Sequence, residues 1–269
     1  MHNAAFRELG LDDWRYEAID VEPGRFDDVV RSLAAQGYAG ANVTIPHKLR
    51  ALQAADSASP VAQVVGAANT LVFRDGAVHA DNTDAQGFLT ALRERVPDAP
   101  QGMRALVLGA GGAGRAVAYA LVDAGAAAVE VWNRHPERAQ DLVSHLAGAG
   151  KGAGLSATTA PRTDLADILV NATSVGMVSP GSGHSTPEDP DPIKELPLMA
   201  DELSDRLIVV DLVYRQERTP LVRAALARGL QCVDGIDVLV HQGAASFRLW
   251  TGMNAPLGAM RSGATNGAD

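Results

Sequence analysis

Short apolar segments alternate with amphipathic segments along most of this chain. The apolar segments have the length of buried strands, and the amphipathic segments repeat their apolar residues with the period of a helix. In the first part of the chain, strands are predicted at 16–21, 40–45, 69–73 and 78–80, and helices at 26–34 and 46–55. In the second part, strands are predicted at 104–108, 129–132, 167–171, 207–213 and 230–233, and helices at 116–122 and 237–250. This alternation predicts an α/β protein.

Pro97, Pro100 and Gly102 interrupt the alternation and mark the clearest boundary along the chain. A chain of 269 residues is long enough for two α/β domains, and we expect a cleft between them. We assign 1–100 to a first domain, 101–236 to a second, 237–261 to C-terminal helices that return to the first, and 262–269 to a disordered tail. The segment 179–192, rich in Pro, Ser, Gly and Asp, is expected to be a mobile surface loop.

A glycine-rich turn follows the predicted strand at 104–108 and opens the next helix. Gly109 permits the tight turn, Gly111 lets the backbone approach a pyrophosphate, and Gly114 lets the helix lie close to the strand. The first amides of the helix and its dipole both favour an anion there. The candidate cofactor residues of the turn are Gly109, Ala110, Gly111, Gly112, Ala113 and Gly114. By its spacing alone, the turn also fits a close structural contact between strand and helix.

The end of the second strand of this region indicates which dinucleotide binds. An Asp or Glu there holds the ribose hydroxyls of NAD, whereas an Arg suits the extra phosphate of NADP. Asn133 and Arg134 follow the strand, and Arg138 lies one helical turn further on the same face. Glu130 is a rival carboxylate, but two strand residues follow it, which places it below the cofactor edge. We interpret this end as an NADP(H) site; the alternative is two solvated arginines on a surface helix.

Composition and charge limit the classes of partner. The formal net charge is −9 and the pI is about 5.2, so the overall field repels nucleic acid and anionic membranes. The single cysteine, Cys232, excludes an internal disulfide and fits a reducing compartment as a small buried residue. Residues 1–8 are polar and amphipathic, and no run of residues reaches membrane-spanning length. We therefore expect a cytoplasmic protein, a monomer or homodimer, with a small-molecule substrate and no metal.

Two polar segments of the first domain are candidates for chemistry. Thr44 ends a predicted strand, and Lys48 lies in the first turn of the next helix, where a cation opposes the helix dipole. Asn69 begins an apolar strand, and Asp84 begins a helix. Each segment has a structural alternative. Lys48 fits an ordinary surface lysine. The residues from Thr83 fit a capping box, in which the negative charge of Asp84 interacts favourably with the helix dipole.

Six segments, spread over nearly the whole chain, resemble the shikimate dehydrogenase family. They are 40–48 (GANVTIPHK), 66–71 (GAANTL), 81–84 (DNTD), the glycine turn with Asn133-Arg134, 170–177 (VNATSVGM), and 211–214 (DLVY) with 242–244 (QGA). The resemblance implies an N-terminal α/β substrate-binding domain and a Rossmann-type NADP-binding domain. It also implies the reversible NADP-dependent reduction of 3-dehydroshikimate to shikimate, a step towards chorismate and the aromatic amino acids.

Carried over position by position, the resemblance implies that Lys48 and Asp84 form a catalytic pair. The residues implied to bind substrate are Thr44, Lys48, Asn69, Asp84, Gln242 and, near the substrate carboxylate, Tyr214. Beyond the glycine turn, the residues implied to bind cofactor are Asn133, Arg134, Arg138, Thr173, Val213, Gly235 and, beside the nicotinamide, Met177. An ammonium can protonate the alkoxide formed by hydride transfer while a carboxylate orients it, so the chemistry agrees. Asn171, Thr173 and Ser174 fit ordinary turn residues equally well.

The chain also departs from the family pattern. Family members begin with an apolar strand and a Ser-x-Ser turn that holds the substrate carboxylate, and this chain starts just after that turn. We therefore expect the natural protein to be longer. His135 replaces a common Thr after Asn-Arg, and Gln216 replaces a common Pro. Two other functions stay open: a quinate/shikimate dehydrogenase that uses NAD, and a weakly active NADP-binding protein.

Overall fold

The computed structural model describes residues 1–148, 154–177, 193, 195–215 and 217–265. Its internal contacts divide the chain into two compact units. The first unit is Met1–Phe88 with Val240–Asp269, and the second is Leu89–Leu239. The expected loop at 179–192 and the unusual Gln216 lie outside the described residues.

The first unit contains a four-stranded mixed sheet. Its strands are β1 (Gly40–Asn42), β2 (Ser57–Ala58), β3 (Thr70–Arg74) and β4 (Ala77–Asp81), in the order β1-β3-β4-β2. β3 is antiparallel to β1 and β4, whereas β2 is parallel to β4. The helices of this unit are α1 (His2–Glu8), α2 (Phe26–Ala35), α3 (Lys48–Ala54), α4 (Pro60–Val65) and α10 (Leu257–Thr265). Phe26, Leu71 and Val78 lie in its core, so the apolar faces of α2, β3 and β4 pack together.

The second unit contains a parallel six-stranded sheet in the order β10-β9-β8-β5-β6-β7. The strands are β5 (Arg104–Leu108), β6 (Ala128–Trp132), β7 (Gly154–Thr158), β8 (Ile168–Asn171), β9 (Ile208–Asp211) and β10 (Gln231–Val233). The helices are α6 (Gly112–Asp123), α7 (Pro136–Leu146) and α8 (Pro220–Ala227). The predicted α/β class is confirmed. The strand order reverses at β5, and a dinucleotide binds outside the carboxyl ends of such strands, at the point of reversal.

Two long helices carry the chain between the units. α5 (Asp84–Arg95) begins in the first unit and ends in the second, and α9 (Gly235–Thr251) runs from the second unit back into the first. The first unit therefore receives Asp84 from the start of α5 and Gln242 from the middle of α9. No helix in the described ranges combines the length and the apolar character needed to cross a membrane.

Two expectations about local structure are wrong. The segment 16–21 is not a strand. At its first residue, Tyr16, both backbone groups form hydrogen bonds with the Asn3 side chain, at 2.7 and 2.9 Å, rather than with a neighbouring strand. Residues 262–265 are not disordered, because α10 continues to Thr265 and packs against α1. Gly263 permits this contact, since a Cβ there would lie 2.9 Å from the Cβ of Ala4. Residues 266–269 lie outside the described part of the chain.

Other predicted boundaries shift by a few residues, and several elements were not predicted. The strand expected at 40–45 ends at Asn42, and the helix expected from Pro46 begins at Lys48. A turn separates them, in which the His47 amide donates to the Thr44 carbonyl at 2.9 Å. The elements that the apolar pattern did not predict are α1, α4, α7, α8, α10, β2 and β7. Most of these elements are short, so their apolar residues repeat too few times to indicate a period.

Candidate active site

Lys48 and Asp84, which are 36 residues apart in the chain, meet in the first unit. The Lys48 Nζ lies 2.7 Å from the Asp84 Oδ2, and the two side chains are only 14% and 15% exposed. Each is the first residue of its helix, α3 and α5. The preceding residue, His47, is buried, stacks on Phe26 and contacts the Val21 carbonyl at 2.8 Å through Nε2. His47 therefore anchors the start of α3, and the next side chain, Lys48, reaches Asp84.

Asn69 is the centre of the polar cluster around this pair. Its side chain is 2% exposed, and its Nδ2 donates to the Asp84 Oδ1 at 2.9 Å and to the Gln242 Oε1 at 3.1 Å. Its Oδ1 accepts from the Thr83 amide at 2.7 Å. Asp84 thus accepts from Lys48 on one oxygen and from Asn69 on the other, which fixes the plane of its carboxylate.

The capping-box alternative for Asp84 is not what the structure shows. The Asn82 Oδ1, rather than the Thr83 hydroxyl, accepts from an amide of the first turn, that of Ala85, at 3.2 Å. The Thr83 hydroxyl instead lies within 3.2 Å of the Asn69 Oδ1 and 3.4 Å of the Gln242 Oε1. A residue that reads as a helix cap in the sequence therefore belongs to the polar cluster.

Gln242 reaches this cluster because α9 lies very close to α5. A Cβ at Gly87 would lie 2.5 Å from the Gln242 backbone nitrogen, so a larger residue at 87 would push the helices apart. The structure therefore brings together four of the six residues implied to bind substrate: Lys48, Asn69, Asp84 and Gln242. Thr44 is exposed in the turn before α3, and Tyr214 belongs to the second unit, where it is about half exposed.

Three glycines of the turn in the second unit differ in their surroundings: a close contact explains two of them, and the third faces open space. Gly109 has φ +108°, and a Cβ there would lie 2.7 Å from the Ala172 carbonyl oxygen. A Cβ at Gly114 would lie 2.1 Å from the Gly109 carbonyl oxygen, so it permits the contact between α6 and the turn. Gly111 caps α6, yet no described atom lies within 4 Å of a Cβ built there. The open space at Gly111 fits a pyrophosphate at the start of α6.

The end of β6 carries exposed basic side chains. Asn133 accepts from the His135 amide at 3.0 Å, and α7 begins directly after His135. Arg134 and Arg138 are exposed, and neither forms an ion pair with another residue in the described part of the chain. Glu130 lies two residues before the end of the strand and has Arg104 as an ion-pair partner at 3.7 Å. The two arginines, rather than Glu130, are thus placed to hold an anion at this edge.

The other candidate cofactor residues follow the strands on the opposite side of β5. Thr173 comes after β8, and its hydroxyl donates to the Asn171 Oδ1 at 2.7 Å. Met177, further along the same loop, is half exposed. Val213 follows β9 and packs against Gly235 at the start of α9, where a Cβ would lie 2.3 Å from the Val213 carbonyl oxygen. Parallel strands place all these residues at one edge of the sheet.

Cys232 has no feature of a reactive thiol. It is partly buried in β10, and burial raises the pKa of the Cys232 thiol to about 11. Its Sγ lies 3.6 Å from the Leu230 carbonyl oxygen. A thiol with a raised pKa holds little thiolate near neutral pH, which agrees with a packing role.

Comparison with known proteins identifies the family of this chain. Family models match the shikimate dehydrogenase substrate binding domain at 1–71, shikimate / quinate 5-dehydrogenase at 91–179, and the shikimate 5'-dehydrogenase C-terminal domain at 235–262. A shikimate dehydrogenase (NADP(+)) of Moorella thermoacetica is 42% identical over 97% of this chain and 85% of its own length. The chain belongs to the shikimate dehydrogenase family.

Other members of the shikimate dehydrogenase family agree with this assignment. A shikimate dehydrogenase (NADP(+)) of Methanopyrus kandleri is also 42% identical, over 97% of this chain and 88% of its own length. The crystal structure of a Thermus thermophilus shikimate 5-dehydrogenase in complex with NADP(H) and shikimate is 38% identical. It covers 98% of this chain and 92% of its own, with a TM-score of 0.81. The resemblance inferred from the six sequence segments is confirmed.

Sequence reasoning missed three polar residues of this shikimate dehydrogenase family member. The first is Thr83, described above. The second is Thr70, which is fully buried and whose hydroxyl lies 3.2 Å from that of Thr83. The Asn42 Nδ2 donates to the Thr70 hydroxyl at 3.2 Å, because Asn42 and Thr70 face each other in the register of β1 and β3. The available signal was a polar residue at the end of β1 and another at the start of β3, but the sequence did not show that these two strands pair.

Proposed function

We propose that the chain catalyses the reversible reduction of 3-dehydroshikimate to shikimate with NADPH. The observation that carries this proposal is the partly buried Lys48–Asp84 pair held by Asn69, in a chain of the shikimate dehydrogenase family. Bound NADPH supplies the hydride that adds to the ketone carbon. Lys48 donates a proton to the ketone oxygen as it becomes an alkoxide, and its own proton is then restored from solvent.

Asp84 has two tasks in this proposal. It holds the Lys48 ammonium through Oδ2, and its remaining lone pairs accept from a substrate hydroxyl next to the ketone. Thr44, Asn69 and Gln242 bind the other ring hydroxyls, and Tyr214 binds near the carboxylate. A site that pairs several hydroxyls rejects analogues that lack them, because its own buried polar groups would then be unpaired.

The cofactor assignment rests on the second unit. The open space at Gly111 and the start of α6 suit the pyrophosphate, and Arg134 and Arg138 suit the 2′-phosphate of NADP. Asn133 positions the turn after β6, because its side chain accepts a hydrogen bond from the His135 amide. The relatives named above carry NADP(+) in their names, which agrees with these side chains. We further propose that the protein is cytoplasmic and is a monomer or a homodimer. Size-exclusion chromatography with light scattering tests the oligomeric state.

The experiment is a set of initial rates with purified protein. NADPH and NADH are compared with 3-dehydroshikimate, and NADP⁺ and NAD⁺ are compared with shikimate and quinate. The expected result is turnover of the shikimate pair with a strong preference for NADP(H). Turnover of quinate with a preference for NAD would establish the alternative dehydrogenase and would contradict the role given to Arg134. Binding of NADP⁺ without turnover would establish the weakly active alternative.

A matched pair of variants tests the role of Lys48. Lys48→Met removes the ammonium, whereas Arg50→Met removes a cation two residues later in the same helix, where the side chain is exposed and paired with Asp27. We expect Lys48→Met to lower kcat/KM by about 10²- to 10⁴-fold while NADP⁺ binding persists, and Arg50→Met to retain activity. Equal activity of the two variants would contradict proton donation by Lys48.

A further inference from the structure

Asp211 is a buried carboxylate to which the proposed mechanism gives no role. It is the last residue of β9 and is fully buried. Its Oδ1 accepts from the Asn171 Nδ2 at 2.9 Å and from the Val213 amide at 3.0 Å, and its Oδ2 accepts from the Thr219 hydroxyl at 2.5 Å. Burial nevertheless raises the pKa of Asp211 to about 6, against the effect of these donors. A buried carboxylate at such an energetic disadvantage calls for a function.

The bond from Asn171 determines the conformation of the loop after β8. Because an ionised carboxylate can only accept, it forces the Asn171 amide to present Nδ2 to Asp211 and Oδ1 to the loop. The Asn171 Oδ1 then accepts from the Thr173 amide at 3.1 Å and from the Thr173 hydroxyl at 2.7 Å. The Thr173 hydroxyl in turn accepts from the Val175 amide at 3.0 Å. One carboxylate thus sets the hydrogen bonds of residues 171–175.

The other two donors connect Asp211 to the loop after β9 and to α8. The Val213 amide binds it directly, and Thr219 is the cap of α8, whose hydroxyl accepts from the Val222 amide at 3.2 Å. A Cβ at Gly176 would lie 3.7 Å from the Thr219 side chain, so the two loops also contact each other there. The loops after β8 and β9 are therefore held together through Asp211.

The loop after β8 borders the glycine turn on the side away from Arg134, and β9 is the next strand beyond β8. The carbonyl of Ala172 lies against Gly109, and β8 is the neighbour of β5 opposite to β6. A dinucleotide that crosses the sheet at β5, with its 2′-phosphate at the end of β6, therefore directs its other nucleoside towards β8 and β9. For NADP this other half carries the nicotinamide.

We propose that Asp211 is a positioning residue for the nicotinamide half of the cofactor site. It acts through Asn171, Val213 and Thr219, which hold the loop that carries Thr173 and Met177 next to the loop after β9. This inference rests on the proposed use of NADP(H), and it does not depend on which ketone is reduced.

Asp211→Asn is the central test, because Asn keeps the size of the side chain. Each orientation of the new amide directs its N–H groups at an existing donor, either Thr219 or Asn171 with Val213, so the network must rearrange. We expect NADP⁺ affinity, measured by calorimetry, to fall about tenfold, as for other residues that orient a binding group. Affinity for 2′-phospho-ADP-ribose, which lacks nicotinamide, is expected to change less than about twofold. In the same variant, kcat is expected to fall more than the KM for the ketone rises.

Three further variants separate positioning from general stability. Thr219→Val removes one donor to Asp211 and is expected to show part of the loss of NADP⁺ affinity. Thr219→Ser keeps the hydroxyl and is expected to bind NADP⁺ with wild-type affinity. Ile168→Val removes one methyl group at the buried amino end of β8 and serves as the stability control. It is expected to lower the thermal midpoint without changing affinity for either ligand. If Asp211→Asn does not fold, the two Thr219 variants still decide the question.

The inference is overturned if Asp211→Asn retains wild-type affinity for NADP⁺ and wild-type kcat. It is also overturned if both ligands weaken equally, because a role limited to fold stability predicts that result. A wild-type chain that binds NADP⁺ but does not reduce 3-dehydroshikimate contradicts the proposed function alone. The comparison of NADP⁺ with 2′-phospho-ADP-ribose then still supports or overturns the role of Asp211.

Discussion

Asp211 should make the stability of the second unit depend on pH. Its pKa is raised from 3.8 to about 6 in the folded chain, mainly by burial. The folded state therefore holds the proton more tightly than the unfolded state does. The stability that this group contributes is complete below pH 3.8, and it decreases as the pH rises and is lost above about pH 6.

The size of the effect follows from the shift. The difference between 3.8 and about 6 corresponds to about 3 kcal/mol at about 1.4 kcal/mol for each pH unit. Asp211→Asn removes the titration but retains the neighbouring groups. The free energy of unfolding of the wild-type chain, minus that of the variant, should therefore fall by about 2 kcal/mol between pH 4 and pH 7, because part of the full effect lies outside this range. Carboxylates that do not interact with Asp211 contribute equally to both proteins and cancel in this difference, whereas Asp234, whose charge also raises the pKa of Asp211, does not cancel completely.

Hydrogen exchange at the amides of β8 and β9 is the suitable assay. These strands are buried in the second unit, so their amides exchange only when a large part of that unit opens. The intrinsic exchange rate depends on pH, but it cancels when wild type and variant are compared at the same pH. Asp205→Asn, which removes an exposed carboxylate of the same unit that is paired with Arg228, serves as the control for the loss of a surface charge. A constant difference between wild type and Asp211→Asn over this pH range would refute the reasoning.

Four further results are expected at the candidate sites. Lys48→Met should lower kcat/KM by about 10²- to 10⁴-fold, the usual contribution of a general acid, while Arg50→Met stays near wild type in initial-rate assays. Arg134→Gln should weaken NADP⁺ binding by about 10- to 100-fold and leave NAD⁺ binding unchanged in calorimetry, since only NADP⁺ carries the 2′-phosphate. Gly114→Ala should lower the thermal midpoint, because its Cβ would lie 2.1 Å from a backbone oxygen. Gly111→Ala should keep the midpoint but lose NADP⁺ binding, and retained binding would contradict a pyrophosphate at that position.

The parts of the fold that could be predicted are those whose signal is local. β5, β8 and β9 are buried on both faces, so each is a continuous apolar run in the sequence. The glycine turn is also a local pattern, because its spacing reflects contacts within one strand–turn–helix segment. The segment 16–21 shows the limit of such reasoning. It has the composition of a strand, yet a side chain from α1 forms hydrogen bonds with both backbone groups of Tyr16.

The candidate site was predictable as a set of residues but not as an arrangement. Resemblance to the family indicated Asn69 and Gln242, which are 173 residues apart, but nothing in the local sequence shows that their side chains touch. Thr83 has a helix-cap pattern, and only the register of neighbouring elements assigns its hydroxyl to the cluster. Asp211 was part of a family motif, but the sequence assigned it no role. Its partners Asn171 and Thr219 come from separate segments of the chain, so the sequence does not show that they bind it.

The two candidate sites differ in how their charges are matched, and the difference follows from burial. In the first unit, Lys48 and Asp84 are largely buried, so each needs the other to avoid a costly isolated charge. A ligand that adds no charge at that point, such as a ketone or a hydroxyl, leaves this balance undisturbed. In the second unit, Arg134 and Arg138 are exposed and lack an ion pair with any described residue, which water makes tolerable. Such arginines gain most from a ligand that brings negative charge. A matched buried pair and an unmatched exposed pair therefore fit, respectively, a polyhydroxylated ketone and a phosphate.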